Sequence, residues 1–190
     1  MNRREALSAV SFLVGGTIIG AEAFLSGCSK PVPATQSGFF SADEIALLDE
    51  VGETILPTTP SSPGAKEAEI GKFMNSIVAD CYSPGEQKIF KDGLTKLDDT
   101  SRSKYDKNFV RLSADEKHDL LLGLDGEAAN WSHARNPDDP ETHYYSMLKQ
   151  LTIWGYFSSE IGATKALRHV AVPGRWEPCV PLQPGEKAWG

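Results

Sequence analysis

The sequence predicts an all-α protein, a small domain of about five helices followed by an extended C-terminal arm rich in proline and glycine. Two observations support this fold class. Apolar residues recur at helical spacing in successive segments, and Ser-x-x-Glu patterns that cap helices precede three of those segments. The arm lacks the alternation of apolar and polar residues that would indicate strands. Such a chain forms its core by packing helix on helix.

The first two helices are marked by a cap and by apolar stripes. Ser41 and Glu44 form a capping-box pattern at the start of the first helix, and Pro57 ends it. Its apolar residues are Ile45, Leu48, Val51, Ile55 and Leu56. The second helix carries an almost continuous stripe of Ile70, Phe73, Met74, Ile77, Val78 and Cys81. A stripe of this kind must face a core.

The third and fourth helices begin with the same capping pattern. Ser83 precedes Pro84 and Glu86, and proline suits the first turn of a helix because no N–H is needed there. Ser113 and Glu116 begin the fourth helix. Both helices are apolar on one side, with Ile89, Phe90, Leu94 and Leu97 in the third and Leu120, Leu121, Leu124 and Ala128 in the fourth.

A fifth helix is predicted from about Glu141 to Phe157, followed by a short helix near residues 162–168. The fifth helix contains an aromatic cluster of Tyr144, Tyr145, Trp154, Tyr156 and Phe157. Aromatic side chains fill cores, and they also supply the strongest contacts of protein interfaces. We therefore expect the aromatic cluster to divide between the core and a docking surface.

Residues 1–27 are predicted to be a signal peptide of the lipoprotein type. Arg3 and Arg4 give it a positive start, and an apolar run of about 16 residues follows, shorter than the roughly 20 that span a bilayer. Residues 25–28, Leu-Ser-Gly-Cys, have the form of a lipobox. This pattern predicts cleavage before Cys28 and lipid on its thiol, and several acyl chains make a durable anchor.

The same segment predicts the organisation and location of the chain. Residues 28–38 are small, polar and contain proline, which indicates a lipidated tether, and residues 39–190 form the helical domain. Arg3 and Arg4 indicate the twin-arginine route, which exports folded proteins; the alternative is that they only supply the positive charge of a general signal. We expect a cell-envelope protein, lipid-anchored to a bacterial membrane and facing the periplasm.

Charge and motifs exclude several functions. The formal net charge is -7, and residues 1–27 carry as many acidic as basic side chains, so the mature chain keeps this charge. An acidic surface disfavours nucleic acid. The histidines lack the spacing of metal sites, and the sequence contains no dinucleotide-binding, phosphate-binding or nucleophile-elbow motif. We predict no catalytic, cofactor-binding or metal-binding residue in this chain.

Two cysteines remain once Cys28 is lipidated. Cys81 lies on the apolar stripe of the second helix and Cys179 in the C-terminal arm, in a compartment that favours disulfides. A bridge between them would close a very long loop and stabilise the fold by about 4 to 5 kcal/mol in the chain-entropy model. In the alternative, Cys81 is a small buried hydrophobe and Cys179 pairs with another subunit. Both alternatives remain open at this point.

Three segments carry a family resemblance: residues 55–65 after the first helix, residues 148–162 in the fifth helix, and residues 172–181 in the arm. Over residues 39–190 the chain resembles the gluconate 2-dehydrogenase subunit 3 family. The resemblance implies a cofactor-free accessory subunit of a membrane-associated dehydrogenase. The catalytic subunit would be a flavoprotein of the glucose-methanol-choline type that carries FAD and oxidises a sugar, sugar acid or polyol. A multihaem cytochrome c often accepts the electrons.

The resemblance also implies a role for this chain within the complex. The small subunit helps the flavoprotein to mature, and its twin-arginine signal can carry the folded complex out. A lipobox is not a defining part of the family, so we expect membrane anchoring to fall to this chain through Cys28.

We expect Tyr156, Phe157, Trp176 and Cys179 to contact the flavoprotein, because family-like residues lie in an arm that makes little core. The alternative is a stand-alone helical envelope lipoprotein that binds a ligand or acts as a scaffold. An enzyme with its own site is disfavoured, since no nucleophile, metal or cofactor constellation is found in the sequence.

Overall fold

The computed structural model describes residues 38–134, 142–172, 174–176, 179–181 and 183–190. The predicted signal peptide with Arg3 and Arg4, the predicted lipidation site Cys28 and nearly all of the tether lie outside the described residues. Among the helices that are described, none is both long and apolar enough to cross a membrane.

The described residues form an all-α fold, as the sequence predicts. Their helices are α1 (Ala42–Ile55), α2 (Ile70–Cys81), α3 (Pro84–Tyr105), α4 (Ala114–Ala134) and α5 (Tyr144–Ser158). A 3₁₀ turn (Phe109–Arg111) joins α3 to α4, and a π-helical turn (Gly162–Ala166) follows α5. These parts of the chain contain isolated β-bridges and no strand.

The capping patterns of the sequence are present in the structure. Ser41 and Ser83 are the N-caps of α1 and α3, and each makes the reciprocal bonds of a capping box with the glutamate three residues later. Before α4, the N–H of Ser113 donates to the Glu116 carboxylate at 2.8 Å, and the N–H of Glu116 donates to Ser113 Oγ at 3.3 Å. The sequence therefore predicts these three helix starts correctly.

Helix α5 is the centre of the fold, because it packs against α1, α2, α3 and α4. It begins at Tyr144, where His143 caps it by accepting a hydrogen bond from the Tyr145 N–H at Nδ1. Glu141, near which the sequence places the start of this helix, lies outside the described residues. Its buried side chains include Tyr144, Tyr145, Met147, Leu148, Leu151 and Tyr156. The surrounding helices and turns contribute Phe40, Leu48, Ile70, Met74, Phe90, Leu97 and Phe109 to the same core.

Candidate partner-binding surface

The outer face of α5 is apolar although it is exposed to solvent. Ile153, Trp154 and Phe157 are 41%, 52% and 38% exposed, and their spacing places them on one side of the helix. Trp154 packs edge to face against Phe73 of α2, with 5.4 Å between ring centroids. This approach depends on Gly155, where a Cβ atom would lie 2.5 Å from Phe73 Cδ1. We call Ile153, Trp154 and Phe157 the α5 apolar face.

A groove of about 630 Å³ lies between α4 and α5, and Ile153 and Trp154 of the α5 apolar face line part of it. An ion pair between Lys149 Nζ and Asp125 Oδ1, 2.7 Å apart, joins the two helices within the lining. Small side chains leave the space, namely Ala128, Ala129, Ser132 and Ser146. Sequence reasoning missed this groove, although the run of small residues near the end of α4 was a usable signal.

The aromatic cluster divides between core and surface, as expected. Tyr144, Tyr145 and Tyr156 are buried, whereas Trp154 and Phe157 are exposed. Burial raises the pKa of Tyr144 and of Tyr145 to about 12, because a phenolate would be poorly solvated there. The tyrosines of the cluster therefore belong to the core, and its accessible part belongs to the α5 apolar face.

Tyr156 is one of the predicted partner contacts, but the structure buries it. Its side chain is 3% exposed. Its hydroxyl donates to the carbonyl oxygen of Pro63 at 2.5 Å and lies 2.7 Å from Ser62 Oγ. Tyr156 therefore anchors the loop of residues 57–65 on α5 and offers no accessible surface to a partner, which corrects the prediction.

Helix α1 provides a second anchor for the same loop. The carboxylate of Glu53 accepts hydrogen bonds from the backbone N–H of Thr58 at 2.8 Å and of Lys66 at 3.0 Å. The exposed ring of Phe157 packs against Tyr156 with 5.1 Å between centroids. The anchored loop and the α5 apolar face are therefore joined through Tyr156.

The C-terminal arm also exposes apolar side chains. Trp176 is 85% exposed and Val172 is 81% exposed, and Cys179 is exposed as well. Beyond the π-helical turn, the described residues of the arm form no helix. Of the four predicted partner contacts, Phe157, Trp176 and Cys179 are thus accessible, and no hydrogen bond or ring contact joins these three described residues to one another.

Cys81 and Cys179 are both free and exposed thiols. The internal bridge that the sequence allows is therefore not formed in the structure. Cys81 is also not the buried hydrophobe of the alternative interpretation, because it is the last residue of α2 and lies outside the core. Pairing of Cys179 with another subunit stays a prediction.

The described residues include no candidate metal site, and one histidine caps a helix. No three or more His, Cys, Asp and Glu side chains among those residues are close enough together to hold a metal ion. Burial and the charge of Lys96 lower the pKa of His143, with Glu127 acting in the opposite direction, while Nδ1 of this histidine caps α5. His143 therefore acts as a structural residue.

These observations define a class of protein. A helical domain whose described surface offers an apolar helix face, a groove and an exposed tryptophan is typical of proteins that act through contact with a partner. The family model described as gluconate 2-dehydrogenase subunit 3 matches residues 42–174, and the chain belongs to this family. It is thus an accessory subunit that assembles with a dehydrogenase catalytic subunit. No curated protein and no solved structure matches the chain.

The matched region contains the anchored loop, the whole of α5 and the arm as far as Gly174. Trp176 and Cys179 lie beyond it. The family match therefore covers the α5 apolar face and does not extend to the end of the arm.

Proposed function

We propose that this chain is the cofactor-free accessory subunit of a membrane-associated flavoprotein dehydrogenase, and that it assists the maturation, export and anchoring of the catalytic subunit. The partner carries FAD, belongs to the glucose-methanol-choline type and oxidises a sugar, sugar acid or polyol. A cytochrome c receives the electrons. The observation that carries the proposal is the family match, which spans all five helices of the described domain.

The docking surface in this proposal combines the α5 apolar face with the arm. Phe157 and Trp176 are exposed aromatic side chains of the kind that dominate binding energy at interfaces. Tyr156 acts from behind this surface by holding the loop of residues 57–65 in place. The net charge of -7 favours a partner that meets this surface through apolar contacts or basic side chains.

Cys179 forms a disulfide with the catalytic subunit in this proposal. Its thiol is exposed on the arm, where a partner can reach it, and the periplasm favours disulfides. Cys81 is equally exposed but lies at the end of α2, so Cys81→Ser is the matched control for Cys179→Ser. Loss of a covalent complex on a non-reducing gel with Cys179→Ser alone supports the bridge, and its persistence contradicts it.

The N-terminal segment anchors the complex. Lipid on Cys28 holds the chain to the membrane on the periplasmic side, and Arg3 and Arg4 direct the folded complex to the twin-arginine route. An accessory subunit that carries both the lipidated cysteine and the export signal performs two tasks for the catalytic subunit. It directs export in the folded state, and it attaches the complex to the membrane.

A second candidate function is that of a stand-alone envelope lipoprotein that binds a ligand. The observation that favours it is the groove of about 630 Å³ between α4 and α5, which is large enough for a small molecule. In that case the protein would act without a flavoprotein, and its loss would leave dehydrogenase activity in the envelope unchanged.

The experiment that separates the two functions is deletion of this chain, followed by cell fractionation and assay of the flavoprotein proposed as its partner. The proposal predicts that the flavoprotein stays in the cytoplasm with low flavin content. Replacing Arg3 and Arg4 by lysine should strand both proteins in the same way, since paired arginines define the route. Normal export of an active flavoprotein from the deletion strain would refute the proposal.

A further inference from the structure

The end of the chain folds back on Arg168. The backbone N–H of Arg168 donates to the carbonyl oxygen of Ala188 at 2.8 Å, and its own carbonyl oxygen accepts from the N–H of Gly190 at 3.2 Å. The guanidinium pairs with the carboxylate of Glu186 and lies 4.1 Å from the centre of the Trp189 ring. We call Arg168, Glu186 and Trp189 the clasp.

Neighbouring residues support the clasp on both sides. The ammonium of Lys187 donates to the carbonyl oxygen of Lys165 in the π-helical turn. The N–H of Glu186 donates to the Gln183 carbonyl oxygen at 3.1 Å, and this bond closes a turn that ends at Glu186. Each contact is weak on its own because it is exposed, but together they hold the ends of residues 169–185 next to each other.

The clasp therefore fixes both ends of the loop between Arg168 and Glu186, of which residues 169–172, 174–176, 179–181 and 183–185 are described. Compact loops whose ends meet are frequently functional parts of a protein surface. Among the described residues of this loop, the most exposed apolar side chains are Val172 at 81%, Trp176 at 85% and Val180 at 50%. An isolated domain gains nothing from exposing them together, so they indicate a contact surface.

We propose that the clasp holds residues 169–185 as a docking loop that presents Trp176 to an apolar pocket on the dehydrogenase catalytic subunit. This inference rests on the proposed function and adds the residues that position the contact. Arg168, Glu186 and Trp189 are positioning residues, because they act through the loop. A loop held in its bound shape loses less conformational freedom on binding than a free tail does.

The catalytic subunit fits this loop better than a second copy of the chain. Every copy carries a formal net charge of -7, and like net charges oppose self-association. The family to which the chain belongs assembles with a dehydrogenase catalytic subunit. The occupant is therefore a different protein with an apolar recess that accepts an indole ring.

The clasp is tested first in the isolated full-length chain by amide hydrogen exchange. Arg168→Ala and Glu186→Gln should each speed exchange at residues 186–190, while exchange in α1–α5 stays unchanged. Arg102→Ala, which removes an exposed ion pair on α3 with Asp98, is the matched control and should leave the arm unaffected. Unchanged exchange at residues 186–190 in both clasp variants would overturn the proposal.

The docking role is tested by binding of the purified catalytic subunit in a double-mutant cycle. Trp176→Ala should weaken binding by about 30-fold or more, as for an interface hot spot. Arg168→Ala should weaken it by about three- to tenfold, and by much less when Trp176 is already absent. Additive effects would show that the clasp does not act through Trp176 and would overturn the proposal.

Two other outcomes are equally decisive. If the wild-type chain does not bind the catalytic subunit at all, the proposed function fails, and the docking role fails with it, while the exchange data still decide whether the clasp exists. If the wild-type chain sediments as a dimer that Trp176→Ala converts to a monomer, the loop belongs to a contact between copies, and the assignment to the catalytic subunit is wrong.

Discussion

The side chains of Tyr156 and Ser62 are 94 residues apart in the sequence, and their hydroxyl oxygens lie 2.7 Å apart. The same tyrosine hydroxyl donates to the carbonyl oxygen of Pro63 at 2.5 Å. A proline- and serine-rich loop is thereby attached to the central helix, next to the exposed ring of Phe157. The hydroxyl of Tyr156 therefore links the loop of residues 57–65, which belongs to a segment that resembles the family, to the α5 apolar face proposed for partner binding.

Tyr156→Phe should destabilise the domain by about 1–2 kcal/mol, because the ring still fills its place but the Pro63 carbonyl loses its shorter hydrogen bond and keeps only the one from Ser62 Oγ at 3.2 Å. The measurement is chemical denaturation followed by circular dichroism. Tyr105→Phe removes a hydroxyl at the end of α3 and serves as the control. Equal stability of the two variants would contradict the anchoring role of Tyr156.

Gly93→Ala should destabilise the fold by about 1–3 kcal/mol, although alanine favours helix. A Cβ atom at Gly93 would lie 2.3 Å from Cγ of the buried Tyr144 ring, so α3 and α5 would have to separate. Gly123→Ala in α4 is the matched control, because no atom beyond its chain neighbours and the backbone of its own helix lies within 4 Å of a Cβ there, and it should stabilise by about 0.5–1 kcal/mol. Stability curves of equal midpoint for the two variants would refute the close packing of α3 on α5.

The ion pairs of Glu50 should give the stability a pH dependence. Burial acts to raise the pKa of Glu50, but hydrogen bonds and charge from Lys117 and Lys66 outweigh it and hold the pKa below 4.5. Lys117 Nζ lies 2.6 Å from Glu50 Oε2, and the Lys117 side chain is only 13% exposed. A carboxyl group whose pKa is lowered on folding stabilises the protein above its unfolded pKa, and this contribution is lost as the pH falls through the folded pKa.

Glu50→Gln should therefore cost about 1 kcal/mol at neutral pH, and the difference from wild type should disappear well below pH 4.5. Thermal unfolding over a pH series measures this. Glu67→Gln removes an exposed carboxylate of the following loop and is the control, with little effect at any pH. A Glu50→Gln difference that persists unchanged in acid would contradict the ion-pair explanation.

Much of the fold follows from local sequence patterns. The caps at Ser41, Ser83 and Ser113 predict three helix starts, because a capping box depends on residues three positions apart. The start of α5 is harder to predict, since histidine is not a usual N-cap residue. His143 caps the helix by accepting one hydrogen bond at Nδ1 from the Tyr145 N–H. Nothing local in the sequence distinguishes this cap from a loop residue.

The candidate site is less predictable than the helices, because it depends on contacts between distant residues. Tyr156 and Phe157 are adjacent aromatic residues, yet one is buried and the other exposed. Their different roles arise from where α5 meets the loop of residues 57–65. The clasp likewise joins Arg168 to Glu186 and Trp189 across the arm. Composition does not reveal contacts between such distant residues, and it therefore predicts an extended tail.

Cys28→Ala should release the protein from the membrane. Without the thiol, no lipid can be attached, and a single remaining signal segment is too short to span the bilayer stably. Metabolic labelling with a fatty acid and fractionation of the envelope measure the effect, with Cys81→Ala as the control that should stay in the membrane fraction. A labelled, membrane-bound Cys28→Ala protein would contradict lipid anchoring at this residue.

The central claim is that this chain binds the catalytic subunit of a flavoprotein dehydrogenase. Co-expression of the full-length tagged chain with the flavoprotein proposed as its partner, followed by affinity purification, tests it most directly. The account predicts that a flavin-containing protein copurifies in a fixed ratio, and that Trp176→Ala reduces its yield. Purification of this chain alone, while the flavoprotein is active and exported without it, would contradict the claim.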